Sequence, residues 1–283
     1  MQSYPCVKTR CNKTSGATAA WATRRDGSVR TTGLALISAD LPPGSLELAE
    51  LIGRRFRSDF AVTPAASGKI CIIGVESKSA SLFQIKDGFA EAVHCGNAVC
   101  ATAAAIFMFT GKKTCSLRIK HPTKPIQVNA TVMTTGEGFS AQTVWNLESN
   151  SIGVQGAVSS AKTWARVDGI NSYTIIIVDS LPTVLPQTRC CGDKICFVER
   201  NGAIPRIRVA SCGRWHGALP QTGAIALAIA RRALPFIADA IPTGVVSHAG
   251  GDEALPNCIW KRSFIHVEIP ETEILFAAPE LIP

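Results

Sequence analysis

His94-Cys95-Gly96-Asn97 stand immediately before an alanine-rich apolar run, an order of residue types that places a thiol at the start of a helix. The first N–H groups of a helix have no intrahelical partner, and the aligned peptide dipoles add partial positive charge there. A cysteine in that position is favoured as the thiolate, a base able to take a proton from carbon and return it. The same donors bind carboxylates. One turn of backbone at Gly96 and Asn97 could therefore both activate Cys95 and hold the acid group of a substrate. Taken alone, the tetrapeptide favours a buried structural cysteine, because cysteine is among the most buried residue types.

The remaining thiols suggest no second centre. The chain has eleven cysteines, an odd number at irregular spacing, so mostly free thiols are expected. Cys190, Cys191 and Cys196 invite a zinc reading, but no second CxxC and no matched HxxxH accompanies them. No metal is expected.

The elements that must position Cys95 follow from composition and periodicity. With 283 residues, 46% of them hydrophobic, the chain can build two cores of ordinary size. Its longest apolar runs, Ala101 to Thr110 and Ile225 to Ala240, are too short or too interrupted to span a membrane. Lys8, Arg10, Lys13, Arg24, Arg25 and Arg30 face only Asp26 in the first thirty residues, a composition shared by mitochondrial transit peptides. A cytoplasmic protein is the expectation, with mitochondrial import the lesser alternative. The formal charge of +8 is spread singly or in pairs, and aromatics are 6%, so no stacking platform for nucleic acid is drawn. A small anionic carboxylate is the expected partner. Assembly as a homodimer is left open.

Short β-branched or alternating segments predict strands over Leu34–Ile37, Lys69–Val75, Leu117–Lys120 and Ile126–Val132. Ser45–Phe56 has helical spacing, and Asn97–Phe109 is an apolar run too long for a strand. The second half repeats the pattern, with strands over Tyr173–Val178, Ile195–Val198 and Ile207–Val209 and a buried helix over Thr222–Leu234. An α+β fold follows, with two pseudo-symmetric halves, 1–155 and 156–283, each wrapping strands around one central helix. The polar stretch Asn146–Ser160 is the expected connection. The two helices are expected to face each other at their N-termini.

The segment EAVHCGNAVCATAAAIF, residues 91–107, resembles the cysteine-bearing helix start of the diaminopimelate epimerase superfamily, above all its 2-methylaconitate cis-trans isomerase branch. Upstream, SGKICIIGVESKS resembles that branch's lysine-bearing strand, which implies a catalytic role for Lys69. Downstream, LRIKHPTKPIQVNATV, ARVDGINSYTIIIVDSLPTVL and GRWHGALPQTGAIALAIA are similar to later segments of the branch and follow in the same order. The last of these implies that His216, Thr222 and Gly223 line the site. Ser247 and His248, in SHAGG, echo a glycine-rich turn of the branch, and Thr31 stands where its N-terminal signature has a serine.

The departures carry information too. Two-cysteine epimerases and racemases of the superfamily place their second base just before the second helix, where this chain has Pro220, and Cys212 is eight residues away. The basic segment near the branch's end is replaced by Ile-Pro-Glu-Thr. The resemblance therefore implies a cofactor-independent isomerase that shifts a double bond, or exchanges cis and trans forms, in an aconitate-like or itaconate-like acid. Cys95 and Lys69 would move the proton. Lys69 without the resemblance reads as a solvent-exposed strand end, and His216 and His248 as caps or satisfied core groups. Amino-acid racemisation, tautomerisation on the same fold, and acid binding without turnover are the alternatives.

Overall fold

In the computed structural model, residues 18–25, 28–37, 69–75, 80–86, 89–90, 94–119, 126–135, 139–160, 162–186, 193–211 and 213–276 are described. The helix expected over Ser45–Phe56, together with Cys190, Cys191 and Cys212, lies outside them. The first half supplies β1 (Thr18–Arg25), β2 (Ser28–Ile37), β3 (Lys69–Val75), β4 (Ala80–Lys86), the short β5 (Phe89–Ala90), helix α1 (Gly96–Thr110), β6 (Thr114–Ile119), β7 (Ile126–Thr134) and β8 (Phe139–Glu148). The second supplies β9 (Gly153–Val158), β10 (Thr163–Asp168), β11 (Ser172–Val178), β12 (Asp193–Glu199), β13 (Arg206–Ser211), β14 (Arg214–Trp215), α2 (Gln221–Ala233), α3 (Pro235–Ala240), β15 (Val245–His248) and β16 (Gly251–Ala254). Two further strands follow, β17 (Asn257–Trp260) and β18 (Phe264–Phe276).

The first sheet runs β1-β2-β3-β4-β6-β7-β8-β18-β17, and β18 pairs again with β1. The strands from β1 to β18 thus close into a ring around α1, which touches every one of them. The sequence of α1 explains this. It carries no charged residue, and Ala98, Val99, Cys100, Ala103, Ala104 and Ile106 are all buried. A helix apolar on all sides has to be covered on all sides. The covering strands alternate: in β7, Ile126, Val128, Ala130 and Val132 are buried while Gln127, Asn129 and Thr131 are exposed.

The second sheet is open, in the order β16-β15-β13-β12-β11-β10-β9, with β14 beside β13. Ala165 and Val167 of β10, Tyr173 and Ile175 of β11, Cys196 and Val198 of β12, and Ile207 and Val209 of β13 are among its buried residues in the core. Helix α2 is buried from Gln221 to Ala230 and ends on Arg231 and Arg232. Cations at that end complement the helix dipole. Arg231 also ties the corner into α3, donating to the carbonyls of Ile241 (2.7 Å) and Pro242 (2.8 Å).

The chain crosses between sheets in a single 3-10 turn, Ser149–Ser151, inside the polar stretch expected to connect the halves. Most of that stretch is strand, however, ending β8 on one side and forming β9 on the other. The C-terminal strands depart further from the expectation. Residues 257–276, assigned by sequence to the second half, pair in the first sheet, with β18 lying between β8 and β1. Pro270 interrupts β18 where the register shifts, between Ile269 and Thr272, the position in a strand where a missing N–H does least harm. Among the described residues no helix is long and apolar enough to cross a membrane.

Candidate active site

Cys95 is the N-cap of α1 (φ −130°, ψ 112°), and Pro220 is the N-cap of α2 (φ −62°, ψ 142°). Neither side chain caps its helix, and in α2 the Gly223 N–H is met by the Pro220 carbonyl at 2.7 Å, so the first N–H groups of α1 and those of Gln221 and Thr222 are the ones without an intrahelical partner. The two helix starts meet. Gly96 and Gln221 are the first residues of α1 and α2, and a Cβ placed on Gly96 would overlap Gln221 Oε1 and Cδ and lie 2.7 Å from its Cβ. The obstruction includes the root of the side chain, which cannot swing away. Glycine at 96 is what allows the helices to abut N-terminus to N-terminus.

A buried amide locks the junction. Asn171, in the turn between β10 and β11, accepts from the His94 backbone N–H (3.0 Å) and donates to the His94 carbonyl (3.2 Å) and to Thr222 Oγ1 (2.9 Å). Thr222 Oγ1 in turn bonds the Tyr173 hydroxyl at 3.0 Å. One side chain from the second half therefore fixes the residue before Cys95 and the second residue of α2. Replacing Asn171 with Ala leaves the His94 amide and carbonyl buried without this partner, so stability should fall by about 3 kcal/mol. A denaturant titration showing less than about 1 kcal/mol of loss would mean that the clamp carries no weight.

Cys95, Cys115 and Cys258 are half-buried, and Cys100 and Cys196 fully buried. Burial pushes the thiol of Cys115 up to about 11, and those of Cys196 and Cys258 to about 12. These three stay protonated and unreactive near neutrality. Tyr173 is pushed above the ordinary phenol range by its burial. Hydrogen bonds from Thr222 and Asn171 work against that shift, and the charges of Cys196 and Cys95 add to it. Lys194, itself buried, sets its ammonium 5.4 Å from the Tyr173 ring centroid, a cation–π distance.

The residues expected from sequence divide by position. Cys95, Gly96, Asn97, Thr222 and Gly223 lie on the two abutting helix starts. Gly223 leaves room for Tyr173, whose Cε1 and hydroxyl lie 3.1 and 3.2 Å from where a Cβ would stand. Lys69 opens β3 beside Thr32 of β2, next to Thr31, on strands that touch α1. His216 lies between β14 and α2, half-buried, its backbone N–H bonded to the Val209 carbonyl at 2.8 Å.

Ser247 and His248 stand elsewhere. Ser247 pairs with Arg206, five residues and roughly 17 Å along β13 from Ser211, whose row with Lys194 and Tyr173 faces the start of α2. His248 accepts from the Gly250 N–H at Nδ1 (2.9 Å) and meets Glu253 Oε2 through Nε2 (3.2 Å). With Nδ1 accepting, the proton sits on Nε2 and donates to the carboxylate. Both ring nitrogens thus serve the β15–β16 hairpin. Among the described residues no group of three or more His, Cys, Asp or Glu side chains is placed to hold a metal ion.

Asn171, Tyr173, Lys194 and Gln221 were missed by the sequence reading. Asn171 sits in a Gly-Ile-Asn-Ser turn, where asparagine ordinarily needs no further explanation. Gln221 is 5% exposed, and its Oε1 and Nε2 are both sealed from solvent without a hydrogen bond among the described residues. A buried polar group left unmade costs about 1–3 kcal/mol.

No family model matches the chain, and no curated protein matches it significantly. Solved structures do. A predicted epimerase from Pseudomonas aeruginosa superimposes with a TM-score of 0.58 at 10% identity, over 95% of this chain and 99% of that one. A phenazine biosynthesis protein of the PhzF family from Bacillus anthracis gives 0.54 at 9% identity, and one from Enterococcus faecalis 0.50 at 11%, each over 95% of this chain and 99% of the other. The fold is therefore the diaminopimelate epimerase-like α+β fold, with the first sheet closed around α1 and β10 and β11 of the open second sheet packed on α2.

Proposed function

We propose that this chain is a cofactor-independent isomerase that moves a proton on a small carboxylic acid bound where the two helices meet. The observation that carries this reading is the junction itself, with a thiol at the N-cap of one helix and a proline at the N-cap of the other. Two sets of unsatisfied N–H groups suit a carboxylate. They would also stabilise the negative charge that develops on it when a neighbouring carbon loses its proton. Cys95 takes that proton, and Lys69, from the same half of the chain, supplies one at a second position. Tyr173, kept protonated by burial, and the Lys194 ammonium add positive character to the surroundings.

Pro220 directs the finer assignment. Inversion at carbon needs a donor on the face opposite the base, and proline has no proton to give. Return of the proton on the same side of a planar dienolate instead shifts a double bond or exchanges cis and trans forms. The proposed substrates are accordingly unsaturated di- or tricarboxylates of the aconitate or itaconate type, as in the 2-methylaconitate isomerase branch. Lys69 and Cys95 from the first sheet's half and His216 from the second's would close on the acid.

The test is a screen of unsaturated di- and tricarboxylates in deuterium oxide, followed by NMR of each product. Deuterium should enter one acid at the carbon where the double bond moves. Deuterium at the α-carbon of an amino acid with loss of optical purity would instead assign racemisation, and no exchange into any acid that binds would leave a silent binding protein.

A further inference from the structure

We propose that Gln221 selects the acid, its amide pairing with a ligand that carries a hydrogen-bond donor such as a hydroxyl beside a carboxylate. The inference rests on the reading of the helix junction as an acid site and narrows the ligand within it, from bare aconitate- or itaconate-type acids to an unsaturated acid of that kind that also bears a hydroxyl. Gln221 is the first residue of α2 and packs on Gly96, the first residue of α1, so its amide lies between the two sets of orphan backbone donors. It is 5% exposed, and neither amide atom makes a hydrogen bond among the described residues.

Asn171, close by and equally polar, shows the contrast. Its amide makes three hydrogen bonds, whereas that of Gln221 makes none among the described residues. Buried amides are ordinarily paired, so an unpaired one beside a helix junction is explained by a partner that arrives with the ligand. An amide presents donors on nitrogen and an acceptor on oxygen. This stays true whichever way the group is turned. A bare polycarboxylate offers acceptors only, and would leave the amide oxygen unmet. A ligand with both a carboxylate and a hydroxyl satisfies both atoms. Gly96 belongs to the same device, since any larger residue there would displace Gln221 from its root.

Citrate and tricarballylate test this directly, because they share three carboxylates and differ by one hydroxyl on the central carbon. In calorimetric titrations of the full chain, the wild type should bind citrate about tenfold or more tightly than tricarballylate, the discrimination of a site built to pair with the hydroxyl. Gln221→Met, which keeps length and removes both polar atoms, should bring the two acids within about twofold of each other. Its unfolding midpoint should equal or exceed that of the wild type, whereas a purely structural glutamine would lose stability on replacement. Equal wild-type affinities, or a citrate preference that survives Gln221→Met, overturns the inference. Protection of Cys95 from iodoacetamide separates this from failure of the site itself. If both acids protect equally, the junction binds acids and Gln221 does not choose among them. If neither acid binds or protects, the acid-site reading falls and the inference falls with it.

Discussion

Cys95→Ser should lower deuterium exchange into the responsive acid by about three orders of magnitude, within the range by which a positioned acid/base group accelerates proton transfer. A serine hydroxyl at the same place cannot ionise at neutral pH, so the base is lost while the shape of the site is kept. The substitution separates catalysis from folding unusually well. Cys95 is an N-cap with no side-chain cap hydrogen bond, and serine is among the preferred residues there, so stability should hold or rise by about 1 kcal/mol. Exchange lost together with stability would point to a structural cysteine instead. Thiol mapping gives a second readout. Iodoacetamide should reach Cys95 before Cys115, Cys196 or Cys258, whose burial holds them protonated far above neutral pH. First labelling at Cys258 with activity intact would identify the wrong thiol.

The two helices were legible because alanine-rich apolar runs of this length have few other solutions, the first uncharged throughout and the second charged only at Arg231 and Arg232. Asn97–Phe109 and Thr222–Leu234 were expected; Gly96–Thr110 and Gln221–Ala233 are found. The core face of β7 was legible from its alternation. β9 was not, because it is an edge strand with almost every residue exposed, and nothing alternates. β18 alternates well enough to be a strand, but its destination is a matter of ring closure that no local pattern encodes.

The site divides in the same way. Cys95 and Pro220 were singled out by the family resemblance, since a cysteine before a helix taken alone favours a structural role. Asn171 and Gln221 acquire meaning only when residues from the other half arrive, His94 against the first and Gly96 against the second. Their chemistry is a property of the contact. Gly96 could be suspected as a helix-start glycine, but not as the hollow into which a glutamine fits.

Lys69→Ala should cost about two or more orders of magnitude in exchange and turnover, the usual scale for a positioned proton donor. Lys69 begins β3 in register with Thr32, on a strand that touches α1, so it belongs to the same half as Cys95. The corresponding position at the second helix is Pro220, which can neither take nor give a proton. On the proposed assignment base and acid come from the same half, and the proton would leave and return on one face of the dienolate. The expected product is a double-bond isomer, without racemisation of proline or diaminopimelate. His216, on the connection into α2 from the second half, is the residue that would restore a two-faced arrangement. His216→Ala should therefore retain turnover within about tenfold, since a group that only helps hold a carboxylate contributes less than one that moves the proton. Nearly full activity in Lys69→Ala with an inactive His216→Ala would reverse the assignment. It would put the second proton on the opposite face, and the chemistry would then be inversion.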